Sequence, residues 1–96
     1  MKKEELNITK DEFLSADKYI FTIKMVTKNG VTGWNFYLLK NGEFKRVIGG
    51  KTWNEKKDCH RNTAWGVNRA LDLLFAIAYD LGIKDNEIKQ DKFIVL

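Results

Sequence analysis

The side chains able to do chemistry in this chain are cations and aromatic rings rather than nucleophiles or metal ligands. His60 is the single histidine and Cys59 the single cysteine. One cysteine precludes an intrachain disulfide, and a Cys/His zinc tetrahedron cannot be completed within one chain. His60 has no nucleophile at a recognisable spacing. Gly49-Gly50-Lys51-Thr52 lacks the first glycine of a phosphate-binding loop, whose position is taken by Lys45. The carboxylates Asp11, Glu12, Asp58, Asp72, Asp80, Asp85, Glu87 and Asp91 do not fall on the interior of the predicted sheet, where a hydrolytic metal would sit. The expectation is a non-enzymatic chain with no cofactor and no metal.

Between Lys51 and Arg69 lie Lys51, Lys56, Lys57, His60, Arg61 and Arg69, opposed only by Glu55 and Asp58 and interleaved with Trp53 and Trp65. Cations at the entry of a helix reach phosphates, and the helix N-terminus itself favours anions. The plainer alternative is a solvated charged loop. At 100° per residue Trp65 falls on the polar arc of the following helix, beside Arg69 and Asp72, with Tyr79 further along. Either the 51–62 loop folds over this ring, or Trp53, Trp65, Arg69 and Tyr79 form an anchor for a protein partner. Cys59 and His60, if helical, project to the margins of the apolar stripe and read as packed groups rather than reactive ones.

Strands must position the remaining candidates. Asn29-Gly30 and Asn41-Gly42 separate stretches rich in β-branched and aromatic residues, and Asn-Gly suits a two-residue reversal because both positions take positive φ. The spacing predicts strands over 19–27, 33–40 and 43–48. In that register Met25 faces Trp34, Ile23 faces Phe36, Phe21 faces Leu38, and Phe36 faces Val47. One face is then apolar. The other carries Thr22, Lys24, Lys28, Asn35, Tyr37 and Arg46, with Ile20, Leu39, Phe44 and Ile48 among them; Tyr37 lies opposite Arg46 and Thr22, and Lys24 opposite Asn35. Cations around a ring on a rigid sheet suit phosphates and stacked bases. The competing expectation is that the N-terminal helix or the C-terminal tail covers this face.

Val67, Ala70, Leu71, Leu74, Ile77, Ala78 and Leu81 recur at helical spacing and predict a long helix over 63–81, ended by Gly82, with Asp58 or Asn62 as N-cap. Thr9 and Glu12 have capping-box spacing for a short helix over about 10–17. Phe93-Ile94-Val95-Leu96 either adds an edge strand or seals the core. The predicted architecture is α+β: a three-stranded antiparallel meander packed on one face by a long C-terminal helix, with a short N-terminal helix and a possible C-terminal edge strand.

At 96 residues and 44% hydrophobic, the chain suits a single domain over 1–96. Seventeen basic residues against 13 acidic give a formal charge of +4, which leans toward a polyanionic partner, although small soluble proteins also carry such a charge for solubility. The charged start Met1-Lys2-Lys3-Glu4-Glu5 leads into no apolar run, and no stretch approaches the ~20 residues of a membrane span. A cytoplasmic setting without membrane association is expected. Lys/Asn/Ile-rich usage points to an AT-rich bacterial or phage source.

The predicted order of helix, three antiparallel strands and helix resembles double-stranded-RNA-binding domains, with Lys56-Lys57 ahead of His60-Arg61 and Ala64 similar to the basic start of their second helix. That family's Gly-Pro-x-His loop is absent here, and Trp53 and Trp65 have no place in its pattern. Three strands followed by a helix also resemble the front half of a ribonuclease H domain, without its first-strand carboxylate, and the arm-type DNA-binding domains of integrases and plant AP2 domains. The last resemblance implies DNA reading by the sheet face opposite the helix, hence by Lys24, Asn35, Tyr37 and Arg46. These likenesses are of topology. The expected function is nucleic-acid binding, DNA or RNA, through Lys24, Lys28, Asn35, Tyr37, Arg46, Lys51, Lys56, Lys57 and Arg61. The alternative is a protein-binding inhibitor or adaptor of the kind mobile elements encode, for example against host defence, using Trp53, Trp65, Arg69 and Tyr79.

Overall fold

The computed structural model describes residues 6–28, 30–49, 53–54, 56, 58–60 and 67–96, with the side chains at 26–27, 30–31, 53–54 and 67–69 outside that description. In chain order the elements are α1 (Lys10–Ser15), β1 (Lys18–Thr27), β2 (Gly30–Lys40), β3 (Glu43–Arg46), β4 (Trp53–Asn54), β5 (Cys59–His60), α2 (Val67–Asp80) and β6 (Phe93–Val95). The fold is α+β with one mixed sheet. Its order is β4-β5-β2-β1-β6, and β3 also pairs with β2.

The expected antiparallel meander is present as β1-β2-β3, and the sheet extends it with β4, β5 and a parallel β6. β6 runs parallel to β1, pairing Tyr19 with Phe93, Ile20 with Ile94 and Phe21 with Val95. Two further bonds extend the ladder: Leu96 N–H donates to the Phe21 carbonyl (2.8 Å), and Ile23 N–H donates to that of Leu96 (2.9 Å). β6 is the edge strand that residues 93–96 were expected to add if they did not seal the core, and two 3-10 turns separate it from α2. A parallel neighbour needs a crossover connection, and α2 supplies it.

The first hairpin departs from its predicted register. Thr27 pairs with Gly30, so the reversal falls between them rather than at Asn29-Gly30, and Asn29 itself lies outside the described residues. Phe21 faces Phe36, Ile23 faces Trp34 and Tyr19 faces Leu38. Over Tyr19 to Ile23 this shift of two positions leaves the side chains on their faces, since the side-chain period of a strand is two, whereas Met25, expected opposite Trp34 on the apolar face, pairs with Gly33 and is exposed. The register then jumps between Ile23 and Met25 and again between Met25 and Val26. Lys24 thus falls in a bulge instead of opposite Asn35, which pairs with Thr22; Tyr37 pairs with Ile20, not Thr22. At the second reversal Asn41 (φ 53°) and Gly42 (φ 80°) both have positive φ, and Lys40 pairs with Glu43.

Tyr19, Phe21, Trp34, Phe36 and Leu38 bury one sheet face against α1 and α2. From α2 this core takes Ala70, Leu73, Leu74, Ile77 and Ala78. Each fully buried large apolar side chain contributes about 1.5–3 kcal/mol. Of the predicted helix, residues 63–66 lie outside the described residues and Leu81 lies one position past the end. There Gly82 (φ 78°) donates to the Tyr79 carbonyl and Ile83 to that of Ala78, a Schellman stop whose following residue, Ile83, is buried.

α1 starts with a capping box: Glu12 N–H donates to Thr9 Oγ1 and Thr9 N–H to Glu12 Oε1. Its Phe13 ring stacks on Tyr19 at 4.6 Å, and the Tyr19 hydroxyl donates to the Phe13 carbonyl. An ion pair from Glu12 to Lys45 (2.6 Å) ties it to the second hairpin.

Three further expectations are corrected around β5. Cys59 and His60 are strand residues, not helical ones, and both are buried. Asp58 is no N-cap; it turns into β5 with φ 52°, while Asn62 lies outside the described residues. Ile48 leaves the open face: it bridges Leu6, is 1% exposed and joins the core, because the chain departs from β2 after Val47 donates to the Phe36 carbonyl.

Candidate nucleic-acid interface

With α1 and α2 on the core face, the register assigns the opposite face to Lys18, Ile20 and Thr22 of β1, Asn35, Tyr37 and Leu39 of β2, Phe44 and Arg46 of β3, and Ile94 of β6. Tyr37 is the hub. It pairs with Ile20 on one side and Arg46 on the other, and its ring meets Phe44 edge-on at 6.2 Å and 81°. Tyr37 is half-buried, whereas Phe44 is 62% exposed. Burial holds the Tyr37 phenol above its usual value of 10.0, reinforced by the negative charge of Asp58 and opposed by Arg46.

Beside Tyr37 lies a cavity of about 250 Å³ lined by Thr22, Ile23, Lys24, Trp34, Asn35, Tyr37, Asp58 and Cys59. It exists because β5 lies tight against β2: a Cβ at Gly33 would meet Cys59 Sγ at 2.6 Å and the His60 carbonyl at 3.3 Å. The turn before β5 brings the Asp58 backbone over Asn35, whose Nδ2 donates to the Asp58 carbonyl (2.8 Å). Asn35 is consequently buried, and among the described residues its Oδ1 has no hydrogen-bond partner.

Of the predicted nucleic-acid contacts, Lys24, Asn35 and Tyr37 line this cavity, and Arg46 sits beside Tyr37 in register, half-buried. Asn35 is not the open reader expected of it, because its amide nitrogen is already engaged. Lys28 is exposed at the hairpin tip and does not line the cavity; Lys56 is exposed in the turn between β4 and β5. Lys51, Lys57 and Arg61 lie outside the described residues, as does Trp65 and as do the side chains of Trp53 and Arg69. Tyr79, the remaining member of the partner-binding set, is 81% exposed.

Lys18 and Phe44 belong to the face but were not among the predicted contacts. Alternation placed Phe44 but not that it remains uncovered; Lys18 precedes the predicted strand and joins the face because β1 starts one residue earlier. A larger cavity of about 330 Å³ lies between α1 and the second hairpin, but its Glu12 and Lys45 already pair with each other, and Lys40 donates to Ser15.

Among the described residues no group of three or more His, Cys, Asp or Glu is placed to hold a metal, and no helix is long and apolar enough to cross a membrane. No protein-family model matches the chain, and comparison with curated proteins and with solved structures gives no match.

Proposed function

We propose that the chain binds nucleic acid through the open face of its sheet, without catalysing a reaction. The observation that carries this reading is the edge-to-face pair of Tyr37 and the exposed Phe44, flanked by the Arg46 cation and by Lys18 and Lys24, on the face that neither helix packs against. Rings on a rigid strand surface stack bases, and cations at its margins meet phosphates. The formal charge of +4 acts in the same direction. Lys51, Lys56, Lys57 and Arg61 extend the reading toward the segment ahead of α2.

The test is binding of labelled DNA and RNA across a salt series. With Lys18, Lys24 and Arg46 engaged on a single strand, log K should fall against log salt with a slope of about −2, and Lys24→Ala should flatten it by about 0.7. No binding of either polymer at low salt overturns the reading.

One observation favours the protein-binding alternative: Tyr79 stands 81% exposed on α2, away from the sheet face. Large exposed rings are frequent interface anchors. Tyr79→Ala separates the two, since it should leave nucleic-acid affinity unchanged if the sheet face is the contact surface.

A further inference from the structure

We propose that β6 is a self-association edge: a second copy of the chain pairs its own β6 against it, antiparallel, about a two-fold axis at Val95, so that the two sheets continue as one. This stands apart from the nucleic-acid reading.

β6 ends the sheet, and among the described residues it pairs with β1 and with no other strand. Its inward groups are identified by their bonds: Leu96 N–H donates to the Phe21 carbonyl, and the Leu96 carbonyl accepts from Ile23 N–H. By the alternation of a parallel ladder Ile94 turns its groups the same way, so those of Phe93 and Val95 point away from β1. The Phe93 N–H is already satisfied by the Gln90 carbonyl. Val95 is left with one donor and one acceptor on the outer edge, neither with a backbone partner among the described residues.

The sequence does not defend this edge. Sheet edges are ordinarily blunted by lysine, proline or a bulge, and Phe93-Ile94-Val95-Leu96 carries no charge and no proline, in an unbroken register. Ile94 pairs with Ile20 on the open face, and alternation puts Leu96 on that face too. Leu96 is 68% exposed and Ile94 half-buried.

A second copy fits the edge by symmetry. With Val95 opposite Val95 of that copy, each N–H donates to the other's carbonyl, and Leu96 of one copy lies opposite Ile94 of the other, covering aliphatic surface on both. No charged residue enters the overlap of 94–96 with 94–96, so the net charge of +4 opposes pairing only at a distance. The contact is isologous and closes at two copies, whereas pairing β6 with the β4 edge would repeat without closing. Its overlap is far below the ~20–30 residues a side of a stable complex, so the dimer is weak and forms only at high concentration.

The experiment is sedimentation equilibrium of the full chain over a concentration series, with amide hydrogen exchange read by NMR at both ends of it. Apparent mass should climb toward twice that of one chain as concentration approaches about 1 mM. The Val95 amide should exchange fast in dilute solution and slowly in concentrated solution, while those of Ile94 and Leu96 stay protected throughout. Leu96→Lys places a charge at an exposed site and should raise the dissociation constant about tenfold or more. Val95→Pro removes the outward N–H and should abolish pairing; if that variant melts, Leu96→Lys on the folded chain decides. A chain that stays monomeric at every concentration overturns the inference and leaves the edge to a strand of another protein. Mass growing past the dimer, Val95 exchange that ignores concentration, or a Leu96→Lys dimer of unchanged strength also overturns it, by placing the contact elsewhere.

Discussion

The His60 ring stacks on the Trp34 indole, centroids 4.5 Å apart and planes 20° apart, while His60 Nε2 lies 2.8 Å from the Ile48 carbonyl oxygen. Because a carbonyl only accepts, that nitrogen carries the proton and donates. One fully buried side chain therefore joins β2, β5 and the segment that bridges Leu6. His60→Ala should lower stability by about 2–4 kcal/mol in denaturant unfolding, from the cavity and the carbonyl left unpaired. His60→Phe, which keeps a ring against Trp34, should lose less. Two equal losses would show that the stack contributes nothing.

Gly33 and Cys59 are set for a double-mutant cycle. A methyl at Gly33 collides with Cys59 Sγ at 2.6 Å, so Gly33→Ala should destabilise by about 1–3 kcal/mol. Adding Cys59→Ala clears the sulfur and should recover part of that loss. Additive effects would place the strain elsewhere, against the His60 carbonyl or Lys24 Cβ, each at 3.3 Å.

Glu12 titrates below its ordinary value of 4.5, chiefly through the hydrogen bond from Lys45 and next through that from the Thr9 backbone. A carboxylate whose folded-state pKa is depressed adds stability that is complete above the unfolded value and disappears as pH falls through the folded one. The melting temperature of the native chain should exceed that of Glu12→Gln at neutral pH, and the gap should close on acidification below 4.5. Gln keeps the capping geometry, so the gap reports the charge. A gap that persists unchanged in acid would refute the assignment.

Phe44 separates stability from binding. At 62% exposure it contributes little to the core, so Phe44→Ala should change stability by no more than about 0.5 kcal/mol. The same substitution should weaken single-strand binding about tenfold through lost stacking. Full affinity in a folded Phe44→Ala variant would remove the ring pair from the contact surface.

Features with local causes were legible in the chain. Thr9 and Glu12 close a capping box across three residues, Gly82 provides the left-handed conformation that ends α2, and alternation assigned Phe21, Trp34, Phe36 and Leu38 to the buried face. The candidate site was legible in part. Lys24, Tyr37 and Arg46 lie on or beside the open face, but the cavity lined by Lys24 and Tyr37 depends on β5, a two-residue strand with no periodicity to detect.

The sequence by itself therefore determined which side of each strand is apolar, because that property repeats every two residues and survives a two-position slip. Tertiary structure decided the register of the first hairpin, the parallel addition of β6, and the burial of Asn35 under Asp58. Each of these depends on partners far apart in the chain, and pairing at that range is chosen by the packing of the whole core rather than by turn chemistry.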